Sequence, residues 1–244
     1  MSFLKNHPFA VETYFENSIV LTYAIAKEEL QDLIPECLEL DTFDDKWAFV
    51  AVAMVDTKGL RPKGFPKFLG NDFFLIGFRV FVRYTDKRGK RLRGLYILKS
   101  ETNKRKMAFF GNIFTHYNYT TTDIRYKKED DQLTIRSEKS ALDVTVNSAN
   151  QDIRLPANSP FSNWKEARRF AGPLPFTFTY NEEKKKVLII EGVRQNWKPQ
   201  PLEIQRANVG FIEDKGFKDI HLANAFVVRN IPYYWKKGKV EQWK

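Results

Sequence analysis

The 244-residue chain is 43% apolar, 15% aromatic and 29% charged, which can fill a core and excludes a chain dominated by disorder or low complexity. Its 40 Lys and Arg against 30 Asp and Glu leave a formal net charge of +10, which favours anionic partners without selecting one. A single cysteine, Cys37, excludes an intramolecular disulfide framework, and the scattered His7, His116 and His221 lack metal-ligand spacing.

Taken in chain order, residues Met1 to Thr13 carry no apolar stretch of signal-peptide type. Ile19 to Ala26 (IVLTYAIA) reads as a strand, and Lys27 to Ile34 as a short helix with Leu30, Leu33 and Ile34 on one face and Pro35 as its stop. Lys46 to Val55 is apolar on both alternating faces, as a strand covered on two sides should be. Within it Trp47 to Val55 is the longest apolar run, far below the ~20 residues of a membrane-spanning helix, so a cytoplasmic protein with no membrane partner is expected. Asp56 to Gly70, with Pro62, Pro66 and several glycines, reads as a loop.

Phe73 to Tyr84 is the most informative strand. Phe74, Ile76, Phe78, Val80 and Val82 share one face; Phe73, Leu75, Gly77, Arg79, Phe81 and Arg83 share the other. The turn Thr85 to Lys90 joins it to Leu92 to Ser100 as a hairpin. Further strands are predicted at Met107 to Phe114, Tyr119 to Tyr126, Leu133 to Arg136 and Leu142 to Val146. A helix over Asn163 to Phe170 is predicted with Ser162 as N-cap and Gly172-Pro173 as its end. Phe176 to Tyr180 and Val187 to Val193 form a second hairpin, followed by strands at Val209 to Glu213 and Ala223 to Val228. Many short strands with two helices indicate a mainly β fold, an antiparallel barrel or sandwich, and no linker or repeat divides residues 1–244, so one domain is expected.

Several segments in order resemble the YqjF-like bacterial proteins of the acetoacetate decarboxylase-like superfamily: Leu30 to Asp41 with Trp47 to Val55 behind it, Phe78 to Val82 (FRVFV), Gly94 to Ser100 (GLYILKS) and the later helix. The resemblance implies a cone-shaped antiparallel β-barrel with a few peripheral helices. It also implies comparison with acetoacetate decarboxylase, where a lysine of lowered pKa forms a Schiff base with a β-keto acid. The corresponding stretch here, Gly111 to Tyr119 (GNIFTHYNY), has Asn112 and Ile113 where Arg and Glu belong, and no lysine at or beside Asn118 and Tyr119. An amide or a phenol cannot form an imine, so decarboxylation by that route is not expected.

Candidate residues are weighed against plainer roles. Arg79, mid-strand among aromatic side chains, suits a carboxylate anchor if it points into a barrel, because its fork binds both oxygens; the plainer role is an ion pair with Glu101 or Glu191. Glu101 and Glu191, set among apolar neighbours, could be held protonated as general acids or simply pair with an Arg. His116, Tyr117 and Asn118 fall where a decarboxylase-like site would lie, and histidine suits proton transfer near neutrality. Lys104, Arg105 and Lys106 read as a solvated basic turn, and Cys37 as a buried filler.

Ten of the twenty-four positions from Arg83 to Lys106 are Lys or Arg. With Tyr84 and Tyr96 between them, they offer an alternative as a nucleic-acid-binding hairpin, disfavoured because no recognisable motif accompanies the charge. The leading expectation is a small-molecule-binding β-barrel taking a small organic acid, with no metal or cofactor. Its catalytic status and its assembly, a homodimer included, are left open.

Overall fold

The alternation of apolar side chains over Ile19–Ala26 extends upstream in a computed structural model, so that β1 runs from Val11 to Ala26. The structure describes residues 4–148, 153–171 and 174–243. β1 pairs on one side with β3 (Trp47–Pro62) and on the other with β14 (Ile220–Trp235). From β3 the sheet continues through β4 (Asn71–Thr85), β5 (Arg91–Thr102), β10 (Phe176–Asn181) and β11 (Lys186–Arg194). β11 then pairs with β14, closing these seven strands into a ring. Every neighbour in the ring is antiparallel except β5 and β10, which run parallel through Gly94 to Tyr96 and Phe176 to Phe178. The expected mainly β architecture is thus present, but this seam runs parallel where a wholly antiparallel sheet was predicted.

The short strands β2 (Glu39–Leu40), β6 (Tyr119–Thr121), β12 (Gln200–Pro201) and β15 (Lys239–Gln242) add to β4, β5, β14 and β11 respectively. A second sheet, ordered β13 (Glu203–Val209), β9 (Leu142–Asn147), β8 (Gln132–Ser137) and β7 (Arg125–Glu129), turns its apolar face onto the outside of the ring. There Leu133, Ile135, Val144 and Val146 share a core with Leu21, Val52, Ile76 and Phe78. The opposite, inward face of the ring forms a separate core around Val20, Phe49, Ala51, Val55, Phe73, Leu75 and Phe81.

Four helices are present among the described residues: α1 (Lys27–Gln31), α2 (Arg105–Phe114), α3 (Trp164–Ala171) and α4 (Gly210–Glu213). α3 and the residues flanking it close one end of the ring, where Phe161 and Phe170 meet Phe49 at ring-centroid distances of 5.5 and 5.0 Å. Its cap is Asn163 rather than Ser162: Asn163 Oδ1 accepts a hydrogen bond from Glu166 N (3.0 Å), and Glu166 Oε2 accepts one from Ser162 N (2.7 Å). The expected stop at Gly172-Pro173 lies outside the described residues.

Four other expectations are corrected. Asp56–Pro62 is the second half of β3, not a loop: Gly59, at φ +61°, supplies a bulge that absorbs the extra residue against both neighbours, and Pro62 comes only at the strand's end. Met107–Phe114 is helical, because Met107, Phe110, Gly111 and Phe114 recur at helical spacing and line one cavity. Val209–Glu213 is the end of β13 followed by α4, where Glu213 Oε1 accepts from Val209 N (3.1 Å). The segment predicted as one strand over Tyr119–Tyr126 divides between β6 and β7, which belong to different sheets.

Candidate functional site

The end of the ring away from α3 holds a cavity of about 460 Å³. Its walls are the inward residues of the ring strands: Phe15, Ser18 and Val20 from β1, Val55 and Thr57 from β3, Phe73, Leu75 and Arg79 from β4, and Leu95, Ile97 and Ser100 from β5. Three bulges set this lining, one of them at Leu98 of β5, where inward positions pass from Ile97 to Ser100. Glu16 is the extra residue of β1 against β3, so inward positions pass from Phe15 to Ser18 and Val20; Gly59 makes the same switch in β3, from Thr57 to Leu60. α2 and the segment around His7 to Phe9 complete the cavity wall with Met107, Phe110 and Phe114.

Arg79 lies on this inward face, as the alternation of its strand requires. Its guanidinium folds back across Gly77: a Cβ at that position would stand 2.8 Å from Arg79 Nε and 2.9 Å from Nη2. Among the described residues no carboxylate pairs with it, and Nε has no hydrogen-bond partner. Burial pulls its pKa down, opposed by Tyr233, Tyr119 and Tyr117, yet an arginine remains charged at any physiological pH.

A second guanidinium, missed in the sequence, enters the same cavity from β11. Arg194 is sandwiched between Trp197 and Tyr233, at 4.8 and 5.6 Å from the ring centroids, and its Nη1 donates to Tyr233 Oη at 3.4 Å. Its Nη2 is unpartnered, and burial, with the charge of Arg79 adding to it, pulls its pKa down. Gly192 gives Tyr233 its place, since a Cβ there would meet the phenol oxygen at 1.9 Å. Tyr117 shares a 2.8 Å hydrogen bond with Thr177, and burial raises the pKa of Tyr117 and Tyr233 and pushes Tyr119 up to about 12. These phenols are therefore neutral donors at pH 7. Arg61, also in the wall, is already neutralised by Glu12 at 2.6 Å.

Of the residues singled out from sequence, Arg79 and Tyr117 line the cavity; Glu101, His116, Asn118 and Glu191 are not among its lining residues. Glu101 is buried and paired with Lys99 at 2.6 Å, and Glu191 pairs with Lys236 at 2.8 Å. Each carboxylate thus has a lysine partner, not Arg79. Asn118 sits at φ +52° and donates to Leu98 O at 3.3 Å, a turn-forming role suited to asparagine. His116 is half-buried, with its pKa lowered by burial and by Lys5. Lys106 is the one lysine among the cavity's lining residues and is exposed; Lys104 and Arg105 are exposed beside it. Burial pushes the Cys37 thiol up to about 12, which keeps it an inert thiol.

His7 has no neighbour at metal-ligand spacing in the sequence. It lines the cavity with Nδ1 unpartnered, and burial lowers its pKa to about 4. Among the described residues no cluster of three or more His, Cys, Asp or Glu could hold a metal ion, and no helix is long and apolar enough to cross a membrane. The basic stretch 83–106 is partly spent internally: Arg83 and Arg93 both grip the buried Asp41, Arg91 meets Glu39 at 2.5 Å, and Lys99 meets Glu101. The nucleic-acid alternative is not favoured by that pairing.

Residues 13–232 match the family DUF2071, described as an uncharacterized conserved protein. No curated protein matches the chain. Among solved structures, acetoacetate decarboxylase from Legionella pneumophila superposes with a TM-score of 0.61 at 14% identity, covering 96% of this chain and 88% of that one. The enduracididine biosynthesis enzyme MppR complexed with pyruvate gives 0.57 at 8% identity, with 96% and 90% covered. An acetoacetate decarboxylase-like enzyme from Sphingomonas wittichii gives 0.52 at 9%, with 97% and 94% covered. At these identities the likeness establishes a shared fold.

Proposed function

The chain belongs to the DUF2071 family, with an acetoacetate decarboxylase-like fold, and from that premise we propose that its cavity binds a small organic acid. The carboxylate lies against Arg79, Arg194 faces the same cavity, and the apolar body lies along Phe15, Val20, Phe73 and Leu75. One observation carries the reading: two half-buried guanidiniums, each with a buried unpartnered N–H and neither paired with a carboxylate among the described residues, line a single largely apolar cavity. Burying a charge without a partner is costly, and an anionic ligand removes that cost. A cavity of about 460 Å³ is within the range of small-molecule sites and leaves room for more than a two- or three-carbon acid. MppR, one of the proteins that share the fold, is described in complex with pyruvate, itself a carboxylate.

The chemistry proposed is binding without imine formation. The lysine in the wall, Lys106, is exposed, whereas imine formation calls for an amine set in a buried, charge-disfavouring environment. Titration with 3-phenylpropanoate, followed by calorimetry, should show saturable binding that Arg79→Met abolishes. Borohydride added with acetoacetate should leave the protein's mass unchanged. A reduced adduct on Lys106 would replace this reading with covalent catalysis, and absence of any carboxylate binding would remove it.

A further inference from the structure

The proposed site has a charge balance that selects among organic acids. Its lining residues include Arg61, Arg79, Lys106 and Arg194 and no Asp or Glu. Arg61 is neutralised by Glu12, and Lys106 is exposed to solvent. The two remaining cations are the buried pair, and each is held separately. Arg79 lies across Gly77 on β4, while Arg194 is clamped between Trp197 and Tyr233 on the opposite part of the ring path. Tyr233 is the shared neighbour: the phenol oxygen accepts from Arg194, which leaves its proton free to point at a ligand oxygen.

Resting on the organic-acid reading, we infer that the preferred ligand carries two negative charges, one for each guanidinium, on an apolar body. A single carboxylate has two oxygens and saturates one fork; it leaves the other guanidinium buried with an unpartnered N–H and a net positive charge in the cavity. Two like charges in a poorly solvated space also repel each other until both are compensated. A dianion ends both penalties at once. The doubled charge can come from two carboxylates or from one phosphate monoester, and the two sources differ in how far apart the charges sit.

The test compares three ligands of similar aromatic body at pH 7.5 by calorimetry: 3-phenylpropanoate, phenylsuccinate and phenyl phosphate. Phenylsuccinate should bind at least tenfold more tightly than 3-phenylpropanoate. Arg194→Gln should erase that preference, with phenylsuccinate falling to the affinity of 3-phenylpropanoate measured in the same variant, and Arg194→Lys, which keeps the charge, should retain part of it. Far-UV circular dichroism of both variants confirms that each is folded. Phenyl phosphate binding as tightly as phenylsuccinate supports the inference and assigns the charge to one group; phenyl phosphate binding no better than 3-phenylpropanoate, with phenylsuccinate still tenfold tighter, supports it with two separated carboxylates. Equal binding of 3-phenylpropanoate and phenylsuccinate, or a preference that survives Arg194→Gln, overturns the inference and leaves the organic-acid reading standing. Binding of none of the three overturns both.

Discussion

Replacing Arg79 by methionine separates a ligand-binding arginine from a structural one through the sign of its effect on stability. A structural arginine has a carboxylate partner, and removing it strands that partner, which destabilises the fold by about 3–5 kcal/mol when buried. Arg79 has none among the described residues, and its Nε is unpartnered. Its desolvation is therefore uncompensated in the empty protein. The effective penalty for a buried ion is several kcal/mol; because Arg79 keeps partial exposure where it lines the cavity, about 1–3 kcal/mol should be recovered by a neutral side chain of similar length. At ~2–4 °C per kcal/mol for a chain near this size, Arg79→Met should unfold roughly 2–12 °C above the wild type in a thermal melt. With phenylsuccinate at a hundred times its Kd, the wild type should gain about 2.7 kcal/mol and the variant nothing. A variant that melts below the wild type, or one that keeps the ligand-induced shift, refutes the reasoning.

Gly77→Ala puts a methyl group 2.8 Å from Arg79 Nε, so the guanidinium must swing away; carboxylate affinity measured by calorimetry should fall about tenfold, ~1.4 kcal/mol, with circular dichroism unchanged. Unchanged affinity would mean that the arm is not held over the glycine. For His7, burial sets the folded pKa at about 4 against an ordinary value of 6.5, so the unfolded state binds the proton first as pH falls. Its contribution is whole above pH 6.5 and is lost progressively toward pH 4, about 2 kcal/mol of it by pH 5. Urea midpoints at pH 7 and pH 5 should therefore converge in His7→Gln relative to the wild type; equal pH slopes in the two proteins would contradict this. Asp41 is fully buried and gripped by Arg83 and Arg93, at 2.6 Å from Arg93 Nη2, so Asp41→Asn should cost about 3 kcal/mol in urea unfolding. A loss below ~1 kcal/mol would show that water already shares that carboxylate.

The inward position of Arg79 was legible because β4 alternates without interruption from Phe73 to Val82, and period two fixes which side chains share a face. The same rule fails wherever a bulge shifts it. Glu16 and Gly59 each reverse the facing of their strand, and neither has a local signature strong enough to mark it; at Gly59 the glycine reads equally well as a loop. The segment of α2 reads as a strand because its phenylalanines suit both periods, and only packing against the cavity decides between them. Arg194, Tyr233 and His7 come from three remote segments, and no sequence pattern says that they meet Arg79. Glu101 and Glu191 illustrate the converse: a carboxylate in an apolar run suggests a perturbed acid, but a lysine two residues away, or just past the end of a neighbouring strand, absorbs each.

Ring closure through β14 has a bearing on how the protein acquires its cavity. The contacts that seal the wall join Phe15 to Ile231 and Val193 to Tyr234, residues made at widely separated times during synthesis. Until that stave docks, β1 presents an open row of amide groups, and Arg194 has no Tyr233 to lean on. A chain ending before Ile220 therefore lacks the strand, with Tyr233 and Trp235, that completes the vessel around Arg79 and Arg194.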